Sequence, residues 1–202
     1  MSESLALVEI GGWSPAMVVL DAMEKDASVR ILQTELNDAP GVCLKLAGRI
    51  ADLESAARVA EHTAAAMHTS ILAHILPRPS DGSAAATLAV PDFNPLIEQP
   101  SVRTPKEHTM NDQASFAVGL IETQGFIAAF EAIDTALKTA NVEVLAREKL
   151  GGGYITVVIK GDVAAVRAAV DAGRTRVEGL GKLIAAHVIP RPSQGVLSLL
   201  PK

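Results

Sequence analysis

The chain has 202 residues; 49% are hydrophobic but only 3% aromatic, and 33 are alanine. The formal net charge of −5 argues against a nucleic-acid binder with a basic face. A single cysteine, Cys43, excludes a disulfide framework or a cysteine-cage metal site within one chain, and no apolar run reaches the length of a membrane span.

Residues 1–4 lack the basic-then-apolar pattern of a signal peptide, so a soluble intracellular protein is expected. A core of this composition is built from small aliphatic side chains, which suits thin layers in close contact.

Two phrases occur twice. Leu7-Val8-Glu9 returns as Leu120-Ile121-Glu122, and His74-Ile75-Leu76-Pro77-Arg78-Pro79-Ser80 returns as His187-Val188-Ile189-Pro190-Arg191-Pro192-Ser193. Sliding the chain by 113 aligns residues 5–80 with 118–193 without a gap, with 20 of 76 positions identical. Chance would give roughly one in sixteen to one in twenty, so the chain is an internal duplication. The expected division is 1–80 for the first repeat, 81–117 for a linker and 118–202 for the second repeat with a C-terminal tail.

In chain order, residues 5–10 and 118–123 predict short apolar strands. Ser14-Pro15 predicts a helix start, Ser as N-cap and Pro at the first helical position, running to about residue 26. Its counterpart spans about 127–139. Residues 29–36 and 142–150 predict strands, followed by turns at 37–41 and 151–153, and residues 42–47 and 154–160 return as the second arms of hairpins.

A second helix follows in each copy. Ile50, Leu53, Ala57, Ala60, Ala64 and Met67 form one stripe, matched by Val163, Val166, Val170, Gly173, Val177 and Leu180. Strands at 71–76 and 184–189 end at Pro-Arg-Pro. Each unit is therefore β-α-β-β-α-β, and the fold class is α/β (α+β): two tandem split-βαβ, ferredoxin-like domains, each an antiparallel sheet with helices on one face. The linker holds Pro91, Pro95, Pro100 and Pro105, with Leu88, Val90, Phe93, Leu96 and Ile97 as its candidate anchors.

Few side chains suggest catalysis. Gly151-Gly152-Gly153 suits a tight hairpin turn needing positive φ; a strand rather than a helix follows, which argues against a phosphate-binding loop. Lys25 and Lys138 read as solvated helix-end lysines interacting with the dipole. His74 and His187 read as packed strand residues, and His62 and His68, six apart, lack metal spacing. Glu9 with Glu122, and Asp21 with Asp134, read as structural carboxylates that recur through duplication. Trp13 and Phe126 read as aromatics packing the strand-to-helix turn. No nucleophile–base constellation stands out, so no enzyme is expected.

Taken with Leu120-Ile121-Glu122-Thr123-Gln124-Gly125, Glu148-Lys149-Leu150-Gly151-Gly152-Gly153, Lys160-Gly161-Asp162-Val163 and the Pro-Arg-Pro ending, the second repeat resembles the bacterial microcompartment shell-protein domain over its whole length. The first repeat keeps Leu7-Val8-Glu9, Gly48 and the ending. The pair resembles the non-permuted tandem class, whose members form homotrimers that mimic a hexamer.

The resemblance implies that Gly151, Gly152 and Gly153 line a central pore, alternating around it with Asp38, Ala39, Pro40 and Gly41 of the first repeat. Turn N–H groups there favour anions and Asp38 opposes them. It implies that Lys25 and Lys138, with Arg78 and Arg191, sit at tile edges against neighbouring tiles.

Some relatives carry an iron–sulfur cluster on a pore-loop cysteine. These loops have none and Cys43 lies beyond the turn, so neither a cluster nor another cofactor or metal is expected. The implied partners are the chain itself, hexameric and pentameric shell proteins, and small metabolites crossing the pore, with no nucleic acid and no membrane. The implied location is a microcompartment shell in the bacterial cytoplasm. The alternative is a tandem-domain small-molecule sensor forming a discrete soluble oligomer.

Overall fold

Each repeat supplies the same six elements in the same order. In the first these are β1 (Ser4–Gly11), α1 (Trp13–Asp26), β2 (Val29–Leu36), β3 (Gly41–Gly48), α2 (Ile50–Ala66) and β4 (Ile71–Leu76). The connector forms α3 (Asp81–Thr87), β5 (Phe93–Asn94), β6 (Gln99–Pro100) and β7 (Val102–Arg103). The second repeat is β8 (Ala117–Gln124), α4 (Phe126–Thr139), β9 (Glu143–Gly151), β10 (Tyr154–Gly161), α5 (Val163–Thr175) and β11 (Lys182–Ile189), and α6 (Gln194–Leu199) follows. The computed structural model describes residues 3–37, 41–88, 90, 93–94, 99–106 and 115–200.

Two compact units result. One comprises Met1–Gly11, Pro15–Glu107 and Ser193–Leu199; the other comprises Gly12–Ser14, His108–Pro192 and Leu200–Lys202. The first contains a sheet ordered β4-β1-β3-β2-β7, the second a sheet ordered β11-β8-β10-β9, all neighbours antiparallel. Register is conserved between the copies: Leu7 faces Lys45 and His74, as Leu120 faces Val158 and His187. This is the split-βαβ order that the element pattern predicts.

In the second unit one face of the sheet, carrying Ala117 and Ile121 of β8 with Ile155, Val157 and Ile159 of β10, meets Ala128, Ala129, Ala132 and Ala136 of α4 and Val166, Ala169 and Val170 of α5. Small residues set the spacing. A Cβ on Gly119 would stand 2.7–2.9 Å from Val170, Ile159 and Val166, and one on Gly173 would stand 2.8 Å from the Ala132 carbonyl oxygen. In the first unit Leu53, Ala56, Ala60 and Ala64 are the buried face of α2. Lys45 of β3, 5% exposed where the second repeat has Val158, donates to Gln33 Oε1 at 2.9 Å and to Glu35 Oε2 and the Thr87 carbonyl, each at 2.5 Å. Three acceptors for one ammonium make that burial tolerable.

Several expectations need correction. The helix begins at Trp13, so Ser14 lies inside it and is no N-cap; its hydroxyl has no hydrogen-bond partner among the described residues. The buried stripe of α2 runs through Ala56 rather than Ala57, with Ile50 exposed, because an alanine-rich helix offers several equivalent faces. In α5, Val163 is exposed and Val177, though buried, lies beyond the helix end, as does exposed Leu180.

In the connector Leu88 and Val90 are exposed, the side chain of Phe93 lies outside what is described, and Leu96 and Ile97 are outside the described residues. Among the described residues of the connector, Val102 is the buried hydrophobic one, and its strand β7 adds to the edge of β2. Residues Ser193–Leu199, read from sequence as a tail of the second repeat, belong to the first unit. There the Ser193 N–H donates to Asp21 Oδ1 at 2.8 Å and the Gly195 N–H to Glu24 Oε2 at 2.9 Å.

Gly-to-Ala inside a helix ordinarily stabilises, by roughly 1 kcal/mol. At Gly173 the backbone carbonyl of Ala132 cannot move aside as a side chain would. Gly173→Ala is therefore expected to destabilise by about 1–3 kcal/mol, read as a lower denaturant midpoint in urea unfolding. A midpoint at or above that of the parent would contradict this packing.

Candidate functional site

The glycine hairpin joins β9 to β10. Gly152 and Gly153, the two residues of the turn, have φ of 58° and 80°, the backbone that a primed two-residue turn demands and that side chains resist, and Gly151 at the end of β9 also has a positive φ of 92°. Its outer carbonyls are held: the Gly125 N–H donates to the Gly153 oxygen at 2.9 Å, and Gln124 Nε2 to the Gly152 oxygen at 3.1 Å. In the first repeat Asp38, Ala39 and Pro40 lie outside the described residues. Gly41 opens β3 at φ 137°, buried, and its carbonyl accepts from the Asn37 N–H at 2.9 Å.

Asp21, Lys25 and Arg78 of the first repeat recur as Asp134, Lys138 and Arg191 of the second. Lys25 donates to Asp21 at 2.6 Å and Lys138 to Asp134 at 2.5 Å, each one turn apart near a helix C-terminus. The recurrent aspartates therefore orient the lysines rather than perform acid–base work. Hydrogen bonding to Asp134 raises the pKa of the Lys138 ammonium and keeps it charged. Arg78 and Arg191 are both exposed in the Pro-Arg-Pro segments. His74 is exposed, whereas His187 is half-buried and burial lowers its pKa.

One feature escaped the sequence pattern. Glu122 of β8 is fully buried, and its carboxylate accepts the Ser14 N–H at 2.9 Å and the Trp13 N–H at 3.3 Å, all within the second unit. It caps the first turn of α1, where unsatisfied N–H groups and the helix dipole favour an anion. Burial raises its pKa, and the two backbone N–H groups oppose the shift. The only sequence signal was the recurrence of Glu at this register.

The aromatics diverge. Trp13 is buried, as expected for a residue packing the turn, but its equivalent Phe126 is 48% exposed. Phe126 stacks on Phe130 with centroids 6.3 Å apart, and Lys149 Nζ lies 5.6 Å from its ring centroid. Cys43 is a half-buried free thiol in β3, its pKa raised by burial. Among the described residues no group of three His, Cys, Asp or Glu could hold a metal, and no helix is long and apolar enough to cross a membrane.

Two sheets of matching strand order, each carrying the same aspartate–lysine pair at a helix end, define a duplicated split-βαβ protein. Known proteins place it further. The BMC domain matches residues 4–79 and 117–192. Bacterial microcompartment shell protein PduA of Citrobacter freundii is 49% identical over 86 residues, 43% of this chain and 92% of its own length. Major carboxysome shell protein CsoS1A of Halothiobacillus neapolitanus is 45% identical over 94 residues, 46% of this chain and 96% of its own. Carboxysome assembly protein CcmO of Synechococcus elongatus is 34% identical over 189 residues, 93% of this chain and 65% of its own. The chain belongs to the BMC-domain family and is a bacterial microcompartment shell protein with two such domains, not an enzyme.

The Glu122 environment has a testable sign. A carboxyl whose folded pKa lies above its unfolded value of 4.5 contributes stability below that value and loses it as pH rises through the folded pKa. Relative to Glu122→Gln, the parent chain should lose stability as pH climbs above 4.5 and then level off. Thermal unfolding of both proteins across a pH series measures this; parallel curves would contradict it.

Proposed function

We propose that the chain is a facet tile: a homotrimer whose six domains mimic a hexamer around a central pore for small metabolites. The observation that supports this is the gap-free duplication, which folds into two sheets of matching strand order and register. A chain with two equivalent halves turns threefold symmetry into near-sixfold symmetry. In this reading Gly151, Gly152 and Gly153 alternate around the pore with the stretch Asp38, Ala39, Pro40 and Gly41.

At the perimeter Lys25 and Lys138, each oriented by its aspartate, meet neighbouring tiles together with Arg78 and Arg191. A planar guanidinium and a three-donor ammonium suit backbone carbonyls presented across such a junction. The neighbours are hexameric and pentameric shell proteins as well as further copies of this chain. The tile works without an iron–sulfur cluster in this reading, because the lone thiol, Cys43, lies within β3.

Light scattering should give a particle of three chains of 21.1 kDa, and negative-stain images should reveal sheets at high concentration. Lys138→Asp reverses a charge that hydrogen bonds across the proposed edge. It should raise the protein concentration needed for sheets by roughly tenfold while leaving the trimer intact. Sheets forming at an unchanged concentration would remove Lys138 from the edge. A discrete oligomer that changes size with a small molecule, and never forms sheets, would favour a sensor instead.

A further inference from the structure

We infer that Glu9 of one chain caps the N-terminus of α4 in a second copy, repeating between chains the contact that Glu122 makes with Trp13 and Ser14. The inference rests on the trimer reading and names the residues that join its copies. The 113-residue shift pairs Glu9 with Glu122, Trp13 with Phe126 and Ser14 with Ile127. Duplication therefore supplies two carboxylates and two helix starts, and one combination is already complete. Glu122 is fully buried and accepts both N–H groups.

The other combination is open at both ends. Glu9 is half-buried, and Asn37 Nδ2 stands 3.4 Å from its Oε1. At α4 the cap is Gly125, which makes no side-chain hydrogen bond, and the first N–H groups of a helix have no acceptor within it. Phe126 is 48% and Ile127 69% exposed, so this capping contact is not made within the single chain.

The surroundings diverge in the same direction. Leu120, beside Glu122, is fully buried while Leu7, beside Glu9, is half-buried; Met17 is fully buried while its equivalent Phe130 is 54% exposed. Each exposed position in the open pair matches a covered one in the closed pair. A carboxylate is complementary to the positive end of a helix, and the flanking Phe126, Ile127 and Phe130 supply apolar surface to be covered. The surface that carries Glu9 at this register is the first repeat of the chain itself, so the occupant is a second copy. The contact runs from first repeat to second repeat, so each copy offers one half to each neighbour and the set closes as a ring.

Sedimentation of the full chain tests this through two variants on opposite sides of the contact. Glu9→Lys places a cation against the helix start. Ile127→Pro removes an N–H that the helix itself does not use, within a first turn of the kind in which α1 already carries Pro15. Each should raise the concentration at which the trimer dissociates by about tenfold or more, with far-UV circular dichroism unchanged. Exposed Glu54→Lys on α2 serves as a charge-matched control and should sediment like the parent. Should Glu9→Lys lose its helical signal, Ile127→Pro alone decides. If the parent is a trimer and both variants associate as it does, the Glu9 contact is overturned and the trimer stands. If the parent stays at 21.1 kDa at high concentration, the trimer reading itself falls and takes this contact with it.

Discussion

Where α5 crosses α4, a Cβ at Gly173 would collide with the Ala132 carbonyl, and one at Gly119 would strike three aliphatic side chains at once. The two helices therefore meet with no side chain between them at this crossing, and the buried positions of α4 are alanines throughout. The core of the second unit, made of alanine, valine and isoleucine, matches a chain with 49% hydrophobic residues and only 3% aromatic. A core this thin covers one face of its sheet. On the opposite face of β8, Val118, Leu120 and Glu122 are nevertheless buried.

Duplication gave both repeats one backbone plan, and divergence then gave them different surfaces. Lys45 and Val158 occupy one position, yet the first is a buried ammonium held by three acceptors and the second an apolar core residue. Trp13 and Phe126 likewise begin equivalent helices, one buried and one half exposed. What remains common is charge at the helix ends: an aspartate one turn before a lysine in both copies. The Asp134–Lys138 pair is exposed, and pairs of that kind contribute little to stability. Their retention is better understood as orientation of the lysine than as support for the helix.

Much of the fold was legible because local pattern and tertiary structure agree. Strand β2 at Val29–Leu36 and β4 at Ile71–Leu76 coincide with the expected spans and the other strand boundaries move by one or two residues, whereas α5 ends at Thr175, short of the expected stripe through Leu180. The start of α1 was not legible. A Ser-Pro pair ordinarily marks a cap, but here the cap is the carboxylate of Glu122, 108 residues from Ser14. The stripe of α2 shifted for a different reason: with Ala56 and Ala57 adjacent, periodicity cannot choose between them. Two-residue strands such as β7 leave no pattern, so Val102 was missed while exposed Leu88 and Val90 were expected to anchor.

The sequence by itself determined the duplication, the order of elements in each copy, and the family to which both copies belong. Those depend on recurrence and short-range periodicity, which one chain records twice. Tertiary structure alone decided which glutamate is buried as a helix cap, which aromatic is covered, and that Ser193–Leu199 joins the first unit rather than the repeat it follows. Burial depends on neighbours distant in the chain. Two residues aligned by duplication can therefore share a register, as Glu9 and Glu122 do, and still face different surroundings.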